Sequence, residues 1–331
     1  MFTNVKNIAV INLGYIGDVA ISSCVTLALK SKFPHSKITY ITVPRSKNIA
    51  PQVAGVDEVV IFDKDSEQKG LNIIKWVADF RAKNKTDMAI LLNETFRSGV
   101  LANLIGARYR LGHASEGRGF LLTHTVDWLQ EEKDLQLSIS KVYMRNLEPL
   151  NISFDELDMG LTFSEDDKKT VMSKIYQLGG KDKILVGFCP CAGFDCKDWD
   201  LEQSKTFIDF VNKHYSNRKI VILGTEMATK FAEGLRNIGC TNFIDMTCNT
   251  TIPELIALTS NCEMFVSVDS SPMHISIAQK IPTIGLFRQN NIKKWWPDFY
   301  QRGIGILNTT PSPTAQQVCD AYSTLYKQIY G

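Results

Sequence analysis

The chain has 331 residues, a length that suits two domains of ordinary size better than a single core. Its hydrophobic content of 44% and charged content of 22% are typical of a soluble globular protein. The formal net charge of +2 and the dispersed basic residues argue against nucleic-acid binding. No apolar run approaches the roughly 18 residues that span a bilayer, so no transmembrane helix is predicted.

The first apolar run is short and β-branched, and Asn12 and Gly14 interrupt it, which is unlike a signal peptide. The eight cysteines follow no obvious disulfide framework. Both features predict a protein of the reducing cytoplasm.

Strand-like and helix-like segments alternate along the first half of the chain. The strand-like runs are NIAVINL, KITYITV, EVVIF and MAILLN, and the helix-like segments include 18–33 and 71–83. Near-continuous apolar strands that alternate with helices indicate a parallel sheet covered on both faces.

The second half repeats this alternation. Its strand-like runs are KILVGFC, KIVILGT, NFIDM, MFVSVD and TIGLF, and helix-like segments such as 201–214, 228–238 and 252–260 separate them. Two such sets of elements predict two doubly wound domains, with the ligand site in the cleft between them.

The junction between the halves falls in LEPLNISFDELDMGLTFSEDD, which is poor in either pattern. Ser164 followed by Asp167 indicates the start of the next helix. We therefore predict an α/β protein with two Rossmann-like domains, residues 1–160 and 161–331, and a junction near residues 155–180.

Gly14 and Gly17 stand three residues apart, between the first strand and the next helix. Such a loop can receive a phosphate, but a nicotinamide-binding fingerprint needs a third glycine and an acid at the end of the second strand, where this chain has Val43-Pro44-Arg45. Asp18 would also repel a pyrophosphate. Two interpretations of Asp18 remain open: a helix N-cap that satisfies backbone amides, or a general base that takes a proton from an alcohol.

A counterpart in the second half is VDSSPMH, where a strand ends at Asp269 and a helix begins near Pro272. Proline suits a first helical turn, and the free amides of that turn, with Ser270 and Ser271, form an anion site. His274 would lie on the same turn. The alternative is an ordinary capped helix.

Two further charged residues follow strands of the second half. Lys197 in FCPCAGFDCKDWD is a lone cation in a turn of small residues, suited to neutralise a diphosphate, unless it is a solvated surface lysine. Glu226 follows VILGT and could accept hydrogen bonds from ribose hydroxyls, although a loop glutamate is more often merely exposed.

Patterns that resemble metal sites are weak. Cys189, Cys191 and Cys196 lack zinc-site spacing and a nearby histidine, so buried thiols are expected. Asp63-Lys64-Asp65 and Asp198-Trp199-Asp200 match the D-x-D pattern of some sugar-nucleotide enzymes, yet two short matches among 35 acidic residues carry little weight. No metal site, nucleophile elbow or Walker loop is predicted.

Four blocks follow one another in the chain: LGYIGDV, PCAGFDCKDWD, VSVDSSPMHISIAQKIPTIGLF and NNIKKWWP. The first three resemble the R-x-G-x-x-G-D, P-G-A…K-x-W-P and D-[ST]-G-x-x-H motifs of the heptosyltransferase family (glycosyltransferase family 9), and the fourth resembles the stretch after its last strand. The resemblance implies the GT-B fold. It also implies inverting transfer of a heptose from ADP-heptose to lipopolysaccharide core, without an essential metal or other cofactor.

The resemblance also assigns roles to the two domains. The second domain would hold the nucleotide-sugar donor, and Asp18 of the first domain would act as the base on the acceptor hydroxyl. The implied donor-binding residues are Ala192, Gly193, Lys197, Glu226, Asp269, Ser270, Ser271, Met273 and His274.

The acceptor side rests on fewer signals. Arg45, Arg97 and Arg118 fall in or after turns of the first domain and are predicted to meet an anionic glycan, with ordinary surface arginines as the alternative. Gly14 and Gly17 complete the predicted acceptor site. A lipid-linked acceptor would bring the enzyme to the cytoplasmic face of the inner membrane by transient contact, without insertion.

The chain departs from the family pattern at three positions. Asn12 replaces the basic residue before the glycines, Ser271 replaces the signature glycine, and Asp200 replaces the proline after Trp199. Two alternatives therefore stay open: a member of the family with another nucleotide sugar or a protein acceptor, and a non-catalytic binder of sugar nucleotides. A nicotinamide oxidoreductase is a third.

Overall fold

The computed structural model describes residues 2, 4–63, 72–130, 136–153, 157–193, 198–297, 299–309 and 312–331. The chain divides into two compact units, Met1–Leu161 and Thr162–Gly331. Each unit contains one six-stranded sheet in which all neighbouring strands are parallel.

The sheet of the first unit has the order β3-β2-β1-β4-β5-β6. Its strands are β1 (Asn7–Ile11), β2 (Lys37–Thr42), β3 (Glu58–Ile61), β4 (Met88–Leu91), β5 (Tyr109–His113) and β6 (His124–Val126). Its helices are α1 (Ile16–Ile21), α2 (Ser23–Lys32), α3 (Asn72–Lys83), α4 (Phe96–Leu104) and α5 (Ile139–Arg145), with short 3-10 helices at Pro44–Ser46, Ala50–Gln52, Arg118–Leu121 and Glu148–Leu150.

The sheet of the second unit has the order β12-β11-β10-β7-β8-β9. Its strands are β7 (Ile184–Cys189), β8 (Arg218–Ile222), β9 (Phe243–Asp245), β10 (Cys262–Val268), β11 (Thr283–Phe287) and β12 (Gly303–Leu307). Its helices are α6 (Glu165–Ile175), which continues into a π-helical turn at Tyr176–Gly180, α7 (Leu201–His214), α8 (Glu226–Asn237), α9 (Ile252–Ser260), α10 (Ser271–Ala278), α11 (Ile292–Trp295) and α12 (Ala315–Tyr330).

Both sheets follow the strand order 3-2-1-4-5-6 of nucleotide-binding α/β folds, so the predicted fold class is confirmed. The order reverses between β1 and β4 in the first unit and between β7 and β10 in the second. Such reversals leave a crevice at the carboxyl ends of the strands, where ligands bind.

The central strands are apolar because helices cover both faces of each sheet. In β7, Val186 and Phe188 belong to one buried cluster, whereas Leu185 and Cys189 belong to another. Successive side chains of a strand point to opposite faces, so each cluster lies on its own side of the sheet. This explains why KILVGFC is a continuous apolar run.

Strands β5, β6 and β12 lie toward the sheet edges and were not predicted. The last of these has glycines where the Trp296 indole packs against the sheet. A Cβ atom at Gly303 would stand 2.9 Å from Trp296 Cζ2, and one at Gly285 of β11 would stand 2.5 Å from Cζ3. The glycines therefore admit a ring, and they weaken the strand pattern of the sequence.

The predicted helix 18–33 is two helices, because the chain kinks at Ser22 between α1 and α2. The Ser22 hydroxyl donates to the Val19 carbonyl at 2.7 Å and lies 2.5 Å from the Tyr40 hydroxyl. The predicted helix start at Ser164 is confirmed, since its Oγ accepts the Asp167 N–H at 3.1 Å. Among the helices of the described ranges, none has the length and apolar character needed to cross a membrane.

Glu254 links α9 to α6 and generates a pH prediction. Its buried carboxylate accepts the Thr251 N–H at 2.7 Å and contacts Lys174 Nζ at 2.9 Å. Burial opposes ionisation of the Glu254 carboxyl, but these two partners outweigh it and hold its pKa below the usual value.

We expect Glu254→Gln to lower the free energy of unfolding at pH 7 by about 1–3 kcal/mol, because charge-assisted hydrogen bonds are lost. A lowered folded-state pKa gives stability that is complete above the unfolded pKa of about 4.3 and is lost as the pH falls through the folded-state value. The difference in the free energy of unfolding between variant and wild type should therefore shrink below about pH 4. Urea denaturation at a series of pH values measures this difference, with a variant of an exposed glutamate, Glu202→Gln, as control. A pH-independent difference would contradict this account.

Candidate functional site

Asp18 lies at the carboxyl edge of the first sheet, in the first turn of α1. Its Oδ2 accepts the N–H of Tyr15 at 2.9 Å, and the Tyr143 hydroxyl of α5 lies 3.4 Å from its Oδ1. Tyr15, not Asp18, is the N-cap residue, so Asp18 satisfies a backbone amide from the third helical position. The half-buried carboxylate is thereby oriented by its own loop.

Asn12 ties the same loop to the helix. Its Oδ1 accepts the Gly14 N–H at 3.1 Å, and its Nδ2 donates to the Asp18 carbonyl at 3.2 Å. A Cβ atom at Gly14 would stand 2.8 Å from Asp18 Cβ and 2.9 Å from Asp18 Oδ2. Gly14 therefore lets the loop close on a carboxylate, and Gly17 is buried inside α1.

Tyr143 is a partner of Asp18 that sequence reasoning missed. Burial, together with the negative charge of Asp18, raises its pKa well above the usual value. Tyr143 therefore stays protonated and donates toward the carboxylate. A sequence separation of 125 residues left no local signal for this contact.

The structure brings Arg45 and Arg97 to the carboxyl edge of the first sheet. The exposed Arg45 guanidinium lies 4.6 Å above the Tyr15 ring, beside the loop that holds Asp18. The exposed Arg97 side chain lines a pocket of ≈ 360 Å³, together with Leu13, Asn93, Thr95 and Glu116. Leu13 also donates its N–H to the Asn93 side chain, so the loops after β1 and β4 meet here.

Arg118 has a different position from the one predicted. Its side chain is fully buried, and its Nε donates to the His113 carbonyl at 2.9 Å. Its Nη1 donates to Ser98 Oγ at 2.6 Å, to the Thr95 carbonyl at 3.2 Å and to the Asn93 carbonyl. Burial lowers the Arg118 pKa to about 10. The guanidinium therefore fixes two loops from beneath and does not face an acceptor.

In the second unit, the start of α10 meets the end of β7. Ser270 is the N-cap residue of α10 but makes no side-chain capping hydrogen bond, and its Oγ lies 3.2 Å from Ser267 Oγ and 3.8 Å from Cys189 Sγ. The first turn of α10, which the structure describes completely, carries no acidic residue. Its N-terminal amides therefore remain favourable to an anion, unlike those of α1.

Asp269 and His274 lie together beside this turn. The Asp269 carboxylate accepts Asn291 Nδ2 at 3.3 Å, and His274 Nε2 stands 4.0 Å from Asp269 Oδ1. Both side chains are almost completely buried. Met273 is also buried, and its Sδ lies 3.0 Å from where a Gly285 Cβ would stand, so its side chain serves packing.

The turn after β7 is closed by Asp198. Its Oδ1 accepts the Ala192 N–H at 2.8 Å, and its carbonyl accepts Arg288 Nη1 at 2.6 Å. Gly193 is the last described residue before the gap at 194–197, so the predicted cation Lys197 lies outside the described residues. Glu226 is exposed at the first position of α8.

Arg288 was also missed by sequence reasoning, although it directly follows the predicted strand TIGLF. It reaches from the end of β11 to the turn after β7, and β10 lies between those strands. Among the described residues, its buried Nε and the buried Oδ1 of Asn291 meet no hydrogen-bond partner. Buried polar atoms without partners are costly, so a bound ligand or water would stabilise this corner.

Four residues of the weak metal patterns have other contacts in the structure. Asp198 closes its turn, and Asp200 caps α7 by accepting the Gln203 N–H at 3.0 Å. Cys189 and Cys191 are buried free thiols whose pKa values burial raises. Lys64, Asp65 and Cys196 lie outside the described residues. Within the described ranges, no group of three or more His, Cys, Asp or Glu side chains could hold a metal ion.

Comparisons with known proteins identify a family of glycosyltransferases. The model of glycosyltransferase family 9 (heptosyltransferase) matches residues 80–323. Lipopolysaccharide heptosyltransferase 3 of Escherichia coli K12 is 26% identical in an alignment 308 residues long, which covers 86% of this chain and 83% of that protein.

Solved structures confirm the GT-B fold. A family 9 glycosyl transferase from Veillonella parvula gives a TM-score of 0.86 at 20% identity, over 99% of both chains. The ADP-heptose lipopolysaccharide heptosyltransferase II of E. coli gives 0.79 at 19% identity, over 98% of this chain and 100% of that one.

We expect Gly14→Ala to lower the free energy of unfolding by about 1–3 kcal/mol, because the new methyl group would overlap Asp18 and Asn12. Gly119→Ala is the matched control, since its Cβ would make an ordinary 3.5 Å contact with Ala114. Urea denaturation of both variants measures the difference. Equal stability would mean that the loop relaxes freely around Asp18.

Proposed function

Because the chain belongs to glycosyltransferase family 9, we propose that it transfers a heptose from ADP-heptose to a lipopolysaccharide-core glycan. The family match over residues 80–323 carries this proposal. The geometry of the two units supports it, since one offers a carboxylate and the other an anion site.

In the proposed mechanism the second unit binds the ADP part of the donor. The first-turn amides of α10 and the hydroxyls of Ser270 and Ser271 would contact the diphosphate, with Lys197 and Arg288 as cations. The diphosphate gains negative charge as its bond to the sugar breaks. Groups that are already oriented toward that charge stabilise the transition state.

Asp18 is the proposed general base. It would take the proton from an acceptor hydroxyl while that oxygen attacks the anomeric carbon and ADP leaves, and this single displacement inverts the configuration. The Tyr15 N–H and the Tyr143 hydroxyl hold the carboxylate in place. No metal is needed in this scheme, because amides and cations neutralise the leaving group.

Asn12 stands where the family has a basic residue, so the positive charge for an anionic acceptor must come from elsewhere. Arg45 is the proposed source. Both polar atoms of the Asn12 side chain are used within the loop, so it offers no charge. The Arg45 guanidinium over Tyr15 supplies a cation from the end of β2 instead. The proposed site of this reaction is the cytoplasm, at the inner membrane face when the acceptor is lipid-linked.

The donor proposal predicts which nucleotide stabilises the protein. ADP should raise the thermal midpoint more than UDP, GDP or NAD, because ADP is part of the proposed donor. A ligand at 100 times its Kd stabilises the folded protein by about 2.7 kcal/mol, so the effect should be measurable. Thermal denaturation with each nucleotide at equal concentration measures this. Stabilisation by NAD alone would overturn the transferase proposal in favour of an oxidoreductase.

Asp18→Asn should reduce kcat by about a hundred- to ten-thousandfold, since an amide cannot accept the proton. ADP affinity, measured by calorimetry, should stay near the wild-type value. Asp167→Asn is the matched control, because Asp167 also sits third in its helix and accepts the N-cap N–H at 2.9 Å. Near-wild-type turnover of Asp18→Asn would reduce Asp18 to a capping residue. Binding of ADP without turnover in the wild type would favour a non-catalytic binder.

A further inference from the structure

The pocket beside Arg97 lies between hydrogen-bonded loops at the carboxyl edge of the first sheet. Leu13, Asn93, Thr95, Arg97 and Glu116 line it, at the reversal of strand order between β1 and β4. Leu13 belongs to the loop that also holds Asp18. A molecule in this pocket would therefore contact the loop that carries the proposed base.

The loops around the pocket are fixed before any ligand arrives. The buried Arg118 guanidinium holds the carbonyls of Asn93 and Thr95, and Ser98 Oγ donates to the Asn93 carbonyl at 2.9 Å. Loops held in place lose little further entropy on binding. Arg118 thus supports the pocket without entering it.

Glu116 adopts a backbone conformation that glutamate seldom takes. Its φ is +48°, in the left-handed region, and its Oε2 accepts the Phe96 N–H at 2.9 Å. Strained backbone of this kind persists where the surrounding structure imposes it, and it is concentrated at functional sites. Here it places a carboxylate on the wall of the pocket.

Two aromatic rings stand exposed at the same place. Phe96, between the lining residues Thr95 and Arg97, is 42% exposed, and Phe120 is 77% exposed. Their ring centroids lie 6.1 Å apart at an angle of 47°. Large apolar side chains left in water beside a polar pocket mark a binding surface.

We infer that this pocket binds a pyranose ring of the acceptor, with Phe96 and Phe120 against the apolar face of the sugar and Glu116 accepting its hydroxyls. A sugar ring presents a C–H face and a rim of hydroxyl groups, which matches aromatic rings next to a carboxylate, an amide and a hydroxyl. The inference rests on the proposed function and specifies its acceptor site.

The test is ligand-observed NMR with a deacylated lipopolysaccharide-core oligosaccharide. Phe120→Ala should weaken binding of the oligosaccharide about three- to tenfold relative to the wild type. Phe120→Tyr should bind it as the wild type does, since the aromatic ring supplies the contact. Ile74→Ala is the matched control, because Ile74 is also an exposed apolar side chain, on α3. Calorimetry with ADP is run on every variant and should show no change.

The possible outcomes separate this inference from the proposed function. Binding that is equal in wild type and Phe120→Ala overturns the inference, as does a wild type that binds ADP but no oligosaccharide. Phe120-dependent sedimentation with anionic vesicles, without oligosaccharide binding, overturns it in favour of a membrane contact. Phe120-dependent oligosaccharide binding in a protein that does not bind ADP supports the inference and overturns the proposed donor.

Discussion

The reversal of strand order within each sheet determines where this chain can hold ligands. Connections leave in opposite directions from β1 and β4, and from β7 and β10, so two loops face each other at each carboxyl edge. Contacts cross both crevices. Leu13 donates to the Asn93 side chain in the first unit, and Ser270 Oγ lies near Cys189 Sγ in the second. Asp18, Arg45, Ser270, Ser271 and Arg288 each follow a strand that ends at one of these edges.

Several polar side chains near the crevices support loops and do not meet ligands. Arg118 donates from Nε and Nη1 to main-chain carbonyls and to Ser98 Oγ, while its buried Nη2 meets no partner among the described residues. Asn12 uses both polar atoms of its side chain to tie its loop to α1. Burying such groups costs free energy unless their hydrogen bonds are made. These hydrogen bonds hold the loop of Asp18 and the wall of the pocket in position.

The sequence predicted the central elements well because buried parallel strands are continuous apolar runs. The edge strands β3 and β9 were predicted from their apolar runs, but β5, β6 and β12 escaped detection: YRLGH of β5 mixes polar residues with glycine, and GIGIL of β12 has glycines that admit the Trp296 ring. Candidate site residues in the local motifs, such as Asp18 and Ser270, could be proposed from the sequence alone. Tyr143 and Arg288 could not, because only the folded chain brings them to Asp18 and Asp198. Nothing in the local sequence distinguished buried Arg118 from exposed Arg97.

The hydrogen bond from the Tyr15 amide to Asp18 makes the two units differ as sites for an anion. The same topology occurs twice, yet the first-turn position that could receive a phosphate in the first unit is already filled by a carboxylate of the protein. The first turn of α10 has no such internal anion. The first turn of α1 is therefore neutralised by the chain itself, whereas that of α10 is left to an anion from outside, such as the phosphates of the proposed donor.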